Sequence, residues 1–401
     1  MTKRRYRAGK LLNKFLKLPL RAYMRTLFAL SIENGQLQGI KPPYVVLANH
    51  TNFWDPFLLS LCIPDPVYFV TSDAYFRNPV LKQLLKLVGA IPKRKQISDP
   101  STIRGIIDVV KNKGVIGIFP EGSRSWDGRT LPLLKPTAKL IKSLHIPVYS
   151  VLFKGAYLTM PRWAAFSRKG RLSMEVGKVL GPDDINGMSV DEIYQRITES
   201  LEYDEYTAQR HLMHAYTGRS KAEHIELFLF ICPQCKSISS MTSEGDSFKC
   251  STCSCEMLYN DYGFFESRQG APLPFENPLD WNLWQLEYLD RIIDDKAKDG
   301  IMSPITFDDD IMLSTGGRTG ALEEKASTGR LSIYCDRLEY LASGKDRLIF
   351  LISDISGMNV QFNDQLEFIH DNVLFRFSKK SAVFSAYKYT EITEKIKHRS
   401  E

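Results

Sequence analysis

The segment YVVLANHTNFWDP, residues 44–56, joins an apolar strand pattern to the first turn of a helix. The short apolar run 44–48 predicts a buried strand, and Asp55-Pro56 is a typical helix start. A strand that leads through a polar loop into a helix is typical of an α/β sheet. Because loops at the ends of such strands carry the chemistry of many α/β proteins, His50 and Asp55 are candidate functional residues.

The same alternation of strand and helix patterns continues along the chain to about residue 205. It predicts an α/β domain over residues 31–225, with a mixed sheet flanked by helices. The further predicted strands are 115–119, 148–153 and 172–179, and the predicted helices are 79–88, 102–111, 137–144 and one that begins at Ser189.

Length and composition exclude several classes of protein. The chain has 401 residues, of which 43% are hydrophobic and 25% are charged, so it has ample material for folded cores. At about 100–200 residues per domain, we expect two to four units. No apolar run approaches the roughly 18 residues of a membrane span, so we expect neither a polytopic membrane protein nor a secretory signal.

The first 30 residues form a basic head. Residues 1–32 contain nine lysines and arginines and no acid, whereas the whole chain has a net charge of +7, so the remainder is slightly acidic. Apolar residues recur at helical spacing, and Pro19 predicts two short helices rather than one. This pattern favours interfacial helices on an anionic membrane surface. A core-packing helix pair and a nucleic-acid arm are the alternatives.

His50 and Asp55 have the chemistry of a general base and its partner. A carboxylate that holds one imidazole nitrogen leaves the other free to take a proton. Taken alone, the pair fits equally well with a helix-capping Asp55 and an incidental His50.

A second polar segment follows a predicted strand at residues 119–125, FPEGSRS. Gly122 permits a tight turn, and Arg124 offers a rigid fork of donors suited to a phosphate. The carboxylate of Glu121 can accept a hydrogen bond from a hydroxyl. A surface turn with an ordinary salt bridge is the alternative. Between the two segments lies the basic turn GAIPKRK, residues 89–95, which alone indicates a solvated loop.

Together these segments resemble the glycerophospholipid acyltransferase family, especially its 1-acylglycerol-3-phosphate acyltransferases. The resemblance covers about residues 35–205 and rests on four motifs in order: His50-x4-Asp55, residues 89–94, residues 119–125, and Ile146-Pro147-Val148. It implies an α/β fold and transfer of a fatty acyl group from a thioester, either acyl-coenzyme A or acyl carrier protein, to a lysophospholipid hydroxyl.

The resemblance also implies roles for individual residues. His50 is the general base and Asp55 orients it. The acceptor-binding residues are Arg94, Glu121, Gly122, Ser123 and Arg124. Ile91 and Lys93 stand where the family usually has a bulky aromatic residue and an acid, which leaves the identity of the acceptor open.

A cysteine cluster predicts a zinc site in residues 226–266. Cys232-x2-Cys235 and Cys250-x2-Cys253 are separated by 14 residues, a spacing typical of a tetrahedral structural zinc, and the module resembles a zinc ribbon. Cys255 is an alternative fourth ligand, and a redox CxxC is the alternative chemistry. The ribbon has few cations, so we expect no nucleic-acid partner. The preceding run 225–231 predicts a strand.

The C-terminal region divides into a linker with an aromatic helix, residues 267–304, and a small β domain, residues 305–401. A loop at 314–329, six short strands between 331 and 377, and a closing helix at 384–397 are predicted. This order resembles the pleckstrin-homology/GRAM class of barrels, which bind lipid headgroups or proteins. A purely structural barrel is the alternative.

These patterns favour a peripheral membrane acyltransferase on the cytoplasmic side of a membrane. Its expected partners are an anionic membrane surface, a lysophospholipid acceptor and an acyl thioester donor. A catalytically inactive membrane-docked adaptor and a zinc-ribbon binding protein are the alternatives.

Overall fold

The computed structural model divides into two compact units. The first comprises Met1–Arg162 and Phe166–Gly218, and the second comprises Trp163–Ala165 and Arg219–Glu401. The structure describes residues 10–33, 37, 39–93, 100–267, 270, 272–298, 303–317, 320–343, 347–380 and 383–400.

The first unit contains seven strands, nine α-helices and one 3-10 helix, Asp73–Arg77, among its described residues. The strands are β1 Ala29–Glu33, β2 Tyr44–Ala48, β3 Val67–Ser72, β4 Ile91–Lys93, β5 Val115–Ile118, β6 Val148–Lys154 and β7 Arg171–Leu180. The helices are α1 Lys10–Leu27, α2 Asp55–Cys62, α3 Pro79–Leu87, α4 Pro100–Lys111, α5 Pro136–Leu144, α6 Ala156–Thr159, α7 Pro182–Gly187, α8 Val190–Glu199 and α9 Glu205–Leu212.

These strands form one mixed sheet in the order β1-β7-β6-β2-β5-β3-β4. All neighbours are parallel except the β6–β7 pair, which is antiparallel. Two buried apolar clusters, one containing Val46 and Ala48 and the other Val45 and Leu47, show that β2 is covered on both faces. The predicted mixed sheet flanked by helices is therefore confirmed.

The position of β2 determines where the polar loops meet. β2 lies between β5 and β6, and Leu47 is in register with Ile118 of the parallel β5. The segments that follow β2 and β5 therefore leave the sheet at the same edge, which is where open α/β sheets bind ligands.

The part of the basic head that the structure describes forms one helix, Lys10–Leu27, so the prediction of two helices separated by Pro19 is wrong. A proline inside a helix loses one backbone hydrogen bond and costs about 3 kcal/mol. Packing of the second half of α1 offsets this cost, because Met24 and Phe28 are buried in the core of the unit. Lys17 also donates hydrogen bonds to the carbonyl groups of residues 63–65.

The second unit contains two antiparallel sheets. The first has the order β11-β10-β9-β8 and contains Cys250 of the cysteine cluster at the end of β9, and the second has seven strands in the order β15-β14-β13-β12-β18-β17-β16. The strands are β8 Met241–Glu244, β9 Ser247–Cys250, β10 Glu256–Tyr259, β11 Phe265–Glu266, β12 Thr306–Gly316, β13 Glu323–Ile333, β14 Arg337–Ala342, β15 Arg347–Leu351, β16 Ser356–Gln361, β17 Gln365–His370 and β18 Val373–Ser378, and the helices are α10 Pro278–Lys298 and α11 Ala386–Ser400.

The strand predicted at 225–231 is wrong. Ile225–Leu227 is a short 3-10 helix, and side chains of α10 occupy the backbone groups that a neighbouring strand would bind. Gln285 accepts from the N–H of Phe230 and donates to the carbonyl of Phe228, and Trp281 donates to the carbonyl of Ile231.

The loop predicted at 314–329 is also wrong, because β12 extends to Gly316 and β13 begins at Glu323. At its C-terminal end β12 pairs with β13 on one side and with β18 on the other, so pairing extends the strand there despite its polar side chains. The polar composition reflects an exposed hairpin end. The six strands predicted from about residue 331 and the closing helix are present, and β12 is a seventh strand that the sequence analysis did not predict. The assignment of this sheet to a particular barrel family stays a prediction.

Candidate active site

His50 and Asp55 form a hydrogen-bonded pair at the carboxyl end of β2. Imidazole Nδ1 lies 2.8 Å from Asp55 Oδ2. The same oxygen accepts from the backbone N–H groups of Thr51 and Asn52, each at 2.8 Å. The Asp55 side chain is fully buried, whereas that of His50 is 20% exposed. An ionised Asp55 requires the proton on Nδ1, so the other nitrogen, Nε2, is left to accept a proton.

The surroundings of His50 favour its neutral form. Burial lowers the pKa of the imidazole below its ordinary value, and the positive charges of Arg124 and Arg162 lower it further, whereas Asp55 opposes the shift. The ring stacks on Phe119, with centroids 4.3 Å apart. A neutral imidazole at neutral pH is the form that acts as a base.

Glu121 connects the loop after β5 to the loop after β2. Its Oε1 accepts from the N–H of His50 at 2.6 Å, and its Oε2 accepts from the N–H of Leu131 at 2.8 Å. The N–H of Ser125 donates in turn to the carbonyl of His50 at 2.8 Å. Both carboxyl oxygens are thus engaged by backbone groups, and burial raises the pKa of Glu121 well above its usual range.

Gly122 allows this loop to turn sharply. Its φ is +73°, a region that other residues rarely adopt, and a Cβ atom there would lie 2.9 Å from Leu134 Cδ1. The turn places Ser123 and Arg124 beside the dyad. Burial lowers the pKa of the Arg124 guanidinium, and Tyr75 and Asp55 oppose this shift.

Arg162 is a site residue that the sequence did not indicate. It is 4% exposed, and its Nη1 donates to Ser123 Oγ at 2.9 Å and to the carbonyl of Arg124 at 3.0 Å. Its guanidinium lies over the Trp126 ring, 4.2 Å from the centroid. Arg162 therefore fixes the backbone that carries Arg124, and no local pattern in the sequence could have revealed this.

Two asparagines that flank the dyad were also missed. Asn49 exchanges hydrogen bonds with the backbone of Phe153, at 2.7 and 3.0 Å. Asn52 donates to the carbonyl of Ala156 at 2.9 Å and to Thr159 Oγ1 at 3.0 Å. Both side chains are buried, so they hold the loop to the neighbouring β6–α6 segment. The pattern that could have indicated them is the run of polar residues directly after the apolar strand 44–48.

Arg94, the remaining candidate for acceptor binding, lies outside the described residues. The structure brings the other six acyltransferase-motif candidates together at one edge of the sheet, where Glu121 joins the loop of His50 and Asp55 to the loop of Gly122, Ser123 and Arg124.

The four cysteines of the second unit have the geometry of a metal site. The sulfur atoms of Cys232, Cys235, Cys250 and Cys253 all lie within 4.8 Å of one another. The Cys232–Cys253 and Cys235–Cys250 sulfur distances are 3.6 and 3.7 Å. Zn–S bonds of about 2.3 Å in a tetrahedron require S···S separations of about 3.8 Å, so these four residues could hold zinc. Cys255 is buried but is not part of this group.

Comparison with known proteins agrees with the geometry of the first unit. Residues 30–154 match the acyltransferase family model. These residues form an acyltransferase-family domain. No helix within the described ranges is both long and apolar enough to cross a bilayer.

Several curated relatives are 1-acyl-sn-glycerol-3-phosphate acyltransferases. The Saccharomyces cerevisiae enzyme is 25% identical over 174 residues, which is 42% of this chain and 57% of that protein. The Bacillus subtilis enzyme is 23% identical, over 39% of this chain and 77% of that protein, and the Limnanthes alba enzyme is 27% identical, over 42% and 59%. The chain thus spans only about three fifths of the yeast and Limnanthes proteins.

The solved structure of the 1-acyl-sn-glycerophosphate acyltransferase of Thermotoga maritima covers 47% of this chain and 80% of its own, with 20% identity and a TM-score of 0.39.

Proposed function

We propose that this protein transfers a fatty acyl group from an acyl thioester to the free hydroxyl of a lysophospholipid. The proposed acceptor is 1-acylglycerol-3-phosphate, which gives phosphatidic acid. The observation that carries the proposal is the 2.8 Å contact between His50 Nδ1 and a buried Asp55, inside a domain that matches the acyltransferase family.

The chemistry requires a proton acceptor at the attacking hydroxyl. His50 Nε2 takes the hydroxyl proton as the acceptor oxygen bonds to the thioester carbonyl carbon. Asp55 stabilises the imidazolium that results and maintains its tautomer. When the carbon–sulfur bond breaks, the proton passes to the departing thiolate. No covalent acyl-enzyme is needed, and either acyl-coenzyme A or acyl carrier protein can serve as the donor.

Arg124 is the proposed contact for the acceptor phosphate, since a guanidinium binds phosphate oxygens through two parallel donors. Ser123 and Gly122 form the turn that presents it. Glu121 was expected to bind the acceptor directly, but its two oxygens accept backbone hydrogen bonds. We therefore assign Glu121 a positioning role between the two loops.

The proposed lipid substrate implies contact with a bilayer, and α1 offers a suitable surface. Phe15 is 72% exposed and Leu18 is 70% exposed, on the side of α1 opposite the buried Met24. The exposed Tyr23 contacts Trp54 of the dyad loop, with ring centroids 5.7 Å apart. Amphipathic helices with basic residues bind anionic membranes in this way, and the cytoplasmic face is the proposed side.

The cysteine cluster is proposed to hold one structural zinc ion. Four thiolates close the tetrahedron and leave no position for a substrate, so the ion would contribute folding free energy to the second unit.

A lysolipid panel tests the proposal. Purified protein is incubated with lysophosphatidic acid and other lysolipids, with each donor type, and the products are identified by mass spectrometry. We expect phosphatidic acid with the wild type and with His211→Ala, an exposed histidine in the same unit, but none with His50→Ala. If no lysolipid is acylated, or if His50→Ala retains full activity, the proposal fails.

Binding of the acceptor is tested by Arg124→Lys. This variant keeps the charge but loses the two-donor fork, so we expect the KM for the acceptor to rise while the KM for the donor stays unchanged. Equal effects on both substrates would remove the acceptor assignment.

A further inference from the structure

Helix α3, which connects β3 to β4, is amphipathic but buries none of its side chains. Its N-terminus is capped by Asn78, whose side chain accepts from the N–H groups of Val80 and Leu81 at 3.0 and 3.1 Å. The helix ends at Leu87, and Gly89 follows two residues later with a φ of +74°, where the N–H of Ala90 donates to the carbonyl of Leu85 at 2.9 Å. The caps define this helix at both ends, but a nine-residue helix in water gains most of its stability from packing.

The apolar face of α3 is open. Val80, Leu84, Leu87 and the following Val88 are 69%, 55%, 55% and 45% exposed, and the spacing i, i+4, i+7, i+8 places them on one side of the helix. By contrast α5, which also has nine residues, buries three side chains against the sheet. The face of α3 therefore has the character of a contact surface.

The charge around α3 identifies the partner. Residues 74–93 contain four lysines and arginines and no acid, although the chain beyond residue 32 is acidic overall. Lys82 and Lys86 are exposed and lie four residues apart on the polar side of the helix. An open apolar face with a cationic polar face is the pattern of a helix that lies in the surface of an anionic bilayer.

A second copy of this chain fits less well. A two-fold contact through the apolar face of α3 would cover the aliphatic side chains, but it would supply no anionic partner for Lys82 and Lys86, which lie on the opposite, polar side of the helix. A lipid surface instead supplies anionic headgroups for the lysines and acyl chains for the leucines.

We propose that α3 is a second membrane contact, in which the face of Val80, Leu84, Leu87 and Val88 inserts into the surface of an anionic bilayer. This inference builds on the proposed function, because a lysophospholipid substrate would bring the protein to a membrane. It is separate from the contact proposed for α1, since the two helices belong to different segments and neither includes a dyad residue.

The test measures sedimentation of the full-length protein with vesicles, in the absence of any acyl donor. The vesicles contain either phosphatidylcholine alone or phosphatidylcholine with a third of phosphatidylglycerol. The test variant is Val80→Ser/Leu84→Ser/Leu87→Ser. The matched control is Ile103→Ser/Leu212→Ser/Met213→Ser, three residues of the same unit that are 43%, 52% and 49% exposed.

We expect the α3 variant to lower the partition coefficient on anionic vesicles on the order of 100-fold, because burial of several half-exposed aliphatic side chains is lost. The control should bind like the wild type. Lys82→Glu/Lys86→Glu should weaken binding to anionic vesicles only, and more than Lys111→Glu/Lys113→Glu does. Circular dichroism of each variant checks that the fold is intact.

Unchanged vesicle binding by the α3 variant would overturn the inference. So would a wild-type dimer that becomes monomeric in the α3 variant while vesicle binding persists, since the face would then be an interface between copies. Transfer to a short-chain lysophosphatidate that is monomeric in solution separates the two proposals. If the wild type transfers no acyl group to this acceptor but its vesicle binding depends on α3, the proposed function fails and the membrane contact stands.

Discussion

Replacement of Asp55 by asparagine tests whether the dyad works as one unit. Asp55 Oδ2 serves three donors, His50 Nδ1 and the N–H groups of Thr51 and Asn52, all at 2.8 Å. The asparagine carbonyl can keep the two backbone bonds, so the loop should remain folded. The variant loses the negative charge beside the imidazolium that forms during transfer.

The size of the effect follows from that lost charge. Two opposite charges about 4 Å apart near a protein surface interact by about 4 kcal/mol, and each 1.4 kcal/mol is a tenfold change in rate. We therefore expect kcat to fall by roughly 10²–10⁴-fold, a range that includes the loss of about 10⁴-fold known for the equivalent change in a serine protease triad. The KM values should change little, because Asp55 is fully buried and does not face the substrates.

The assay is release of free thiol from the acyl donor, with lysophosphatidic acid as the acceptor. His50→Ala should cause a comparable loss, and the double variant should be no slower than the slower single variant, because residues that act together are non-additive. Asp204→Asn is the matched control, since Asp204 also accepts two backbone hydrogen bonds, at 2.9 Å, but has no histidine partner. The dyad would be refuted if Asp55→Asn lowered kcat by less than tenfold. It would also be refuted if the loss of kcat in the double variant equalled the product of the two single losses.

Three further predictions concern charge and metal. The positive charge of Arg162 lowers the pKa of His50, so Arg162→Gln should raise that pKa. The acid limb of the kcat/KM pH profile should therefore move to higher pH. Arg162→Lys keeps the charge and should move it less. Burial raises the pKa of Glu205 from 4.5 to about 8, so the folded state holds this proton more tightly. In urea unfolding, the contribution of Glu205 to the free energy of unfolding should be fully present below pH 4.5 and should fall by a few kcal/mol as the pH rises to about 8. The Glu205→Gln variant should show a smaller fall over the same pH range. Metal analysis should find one zinc per chain, absent in Cys232→Ser/Cys235→Ser and retained in Cys255→Ser; a wild-type protein without zinc would contradict the assigned site.

The sequence alone determined the elements whose patterns are local. The apolar run 44–48 predicted β2 at its observed bounds, and Asp55-Pro56 predicted the observed start of α2. The order of strands and helices predicted the mixed sheet. The paired CxxC segments predicted which four cysteine sulfur atoms lie close together in the structure. Each of these signals depends only on residues that are close in the chain, so neighbouring side chains suffice to specify them.

Tertiary structure decided the features that depend on distant partners. Pro19 predicts a break in α1, but core packing of Met24 and Phe28 keeps the helix continuous. Residues 228–231 have a strand pattern, but Gln285 and Trp281, which are 50 to 57 positions away, take their backbone hydrogen bonds. The physical reason is the same in both cases: local preferences amount to a few kcal/mol at most, and burial or a buried hydrogen bond contributes as much.

The candidate site divides in the same way. Motif spacing placed His50 and Asp55 together because only one turn separates them. The contacts of Arg162 with Ser123 and Arg124, and of Glu121 with the His50 backbone, join segments 38 to 71 residues apart. A buried charge must find partners wherever the fold brings them, and only the packed sheet edge supplies those partners.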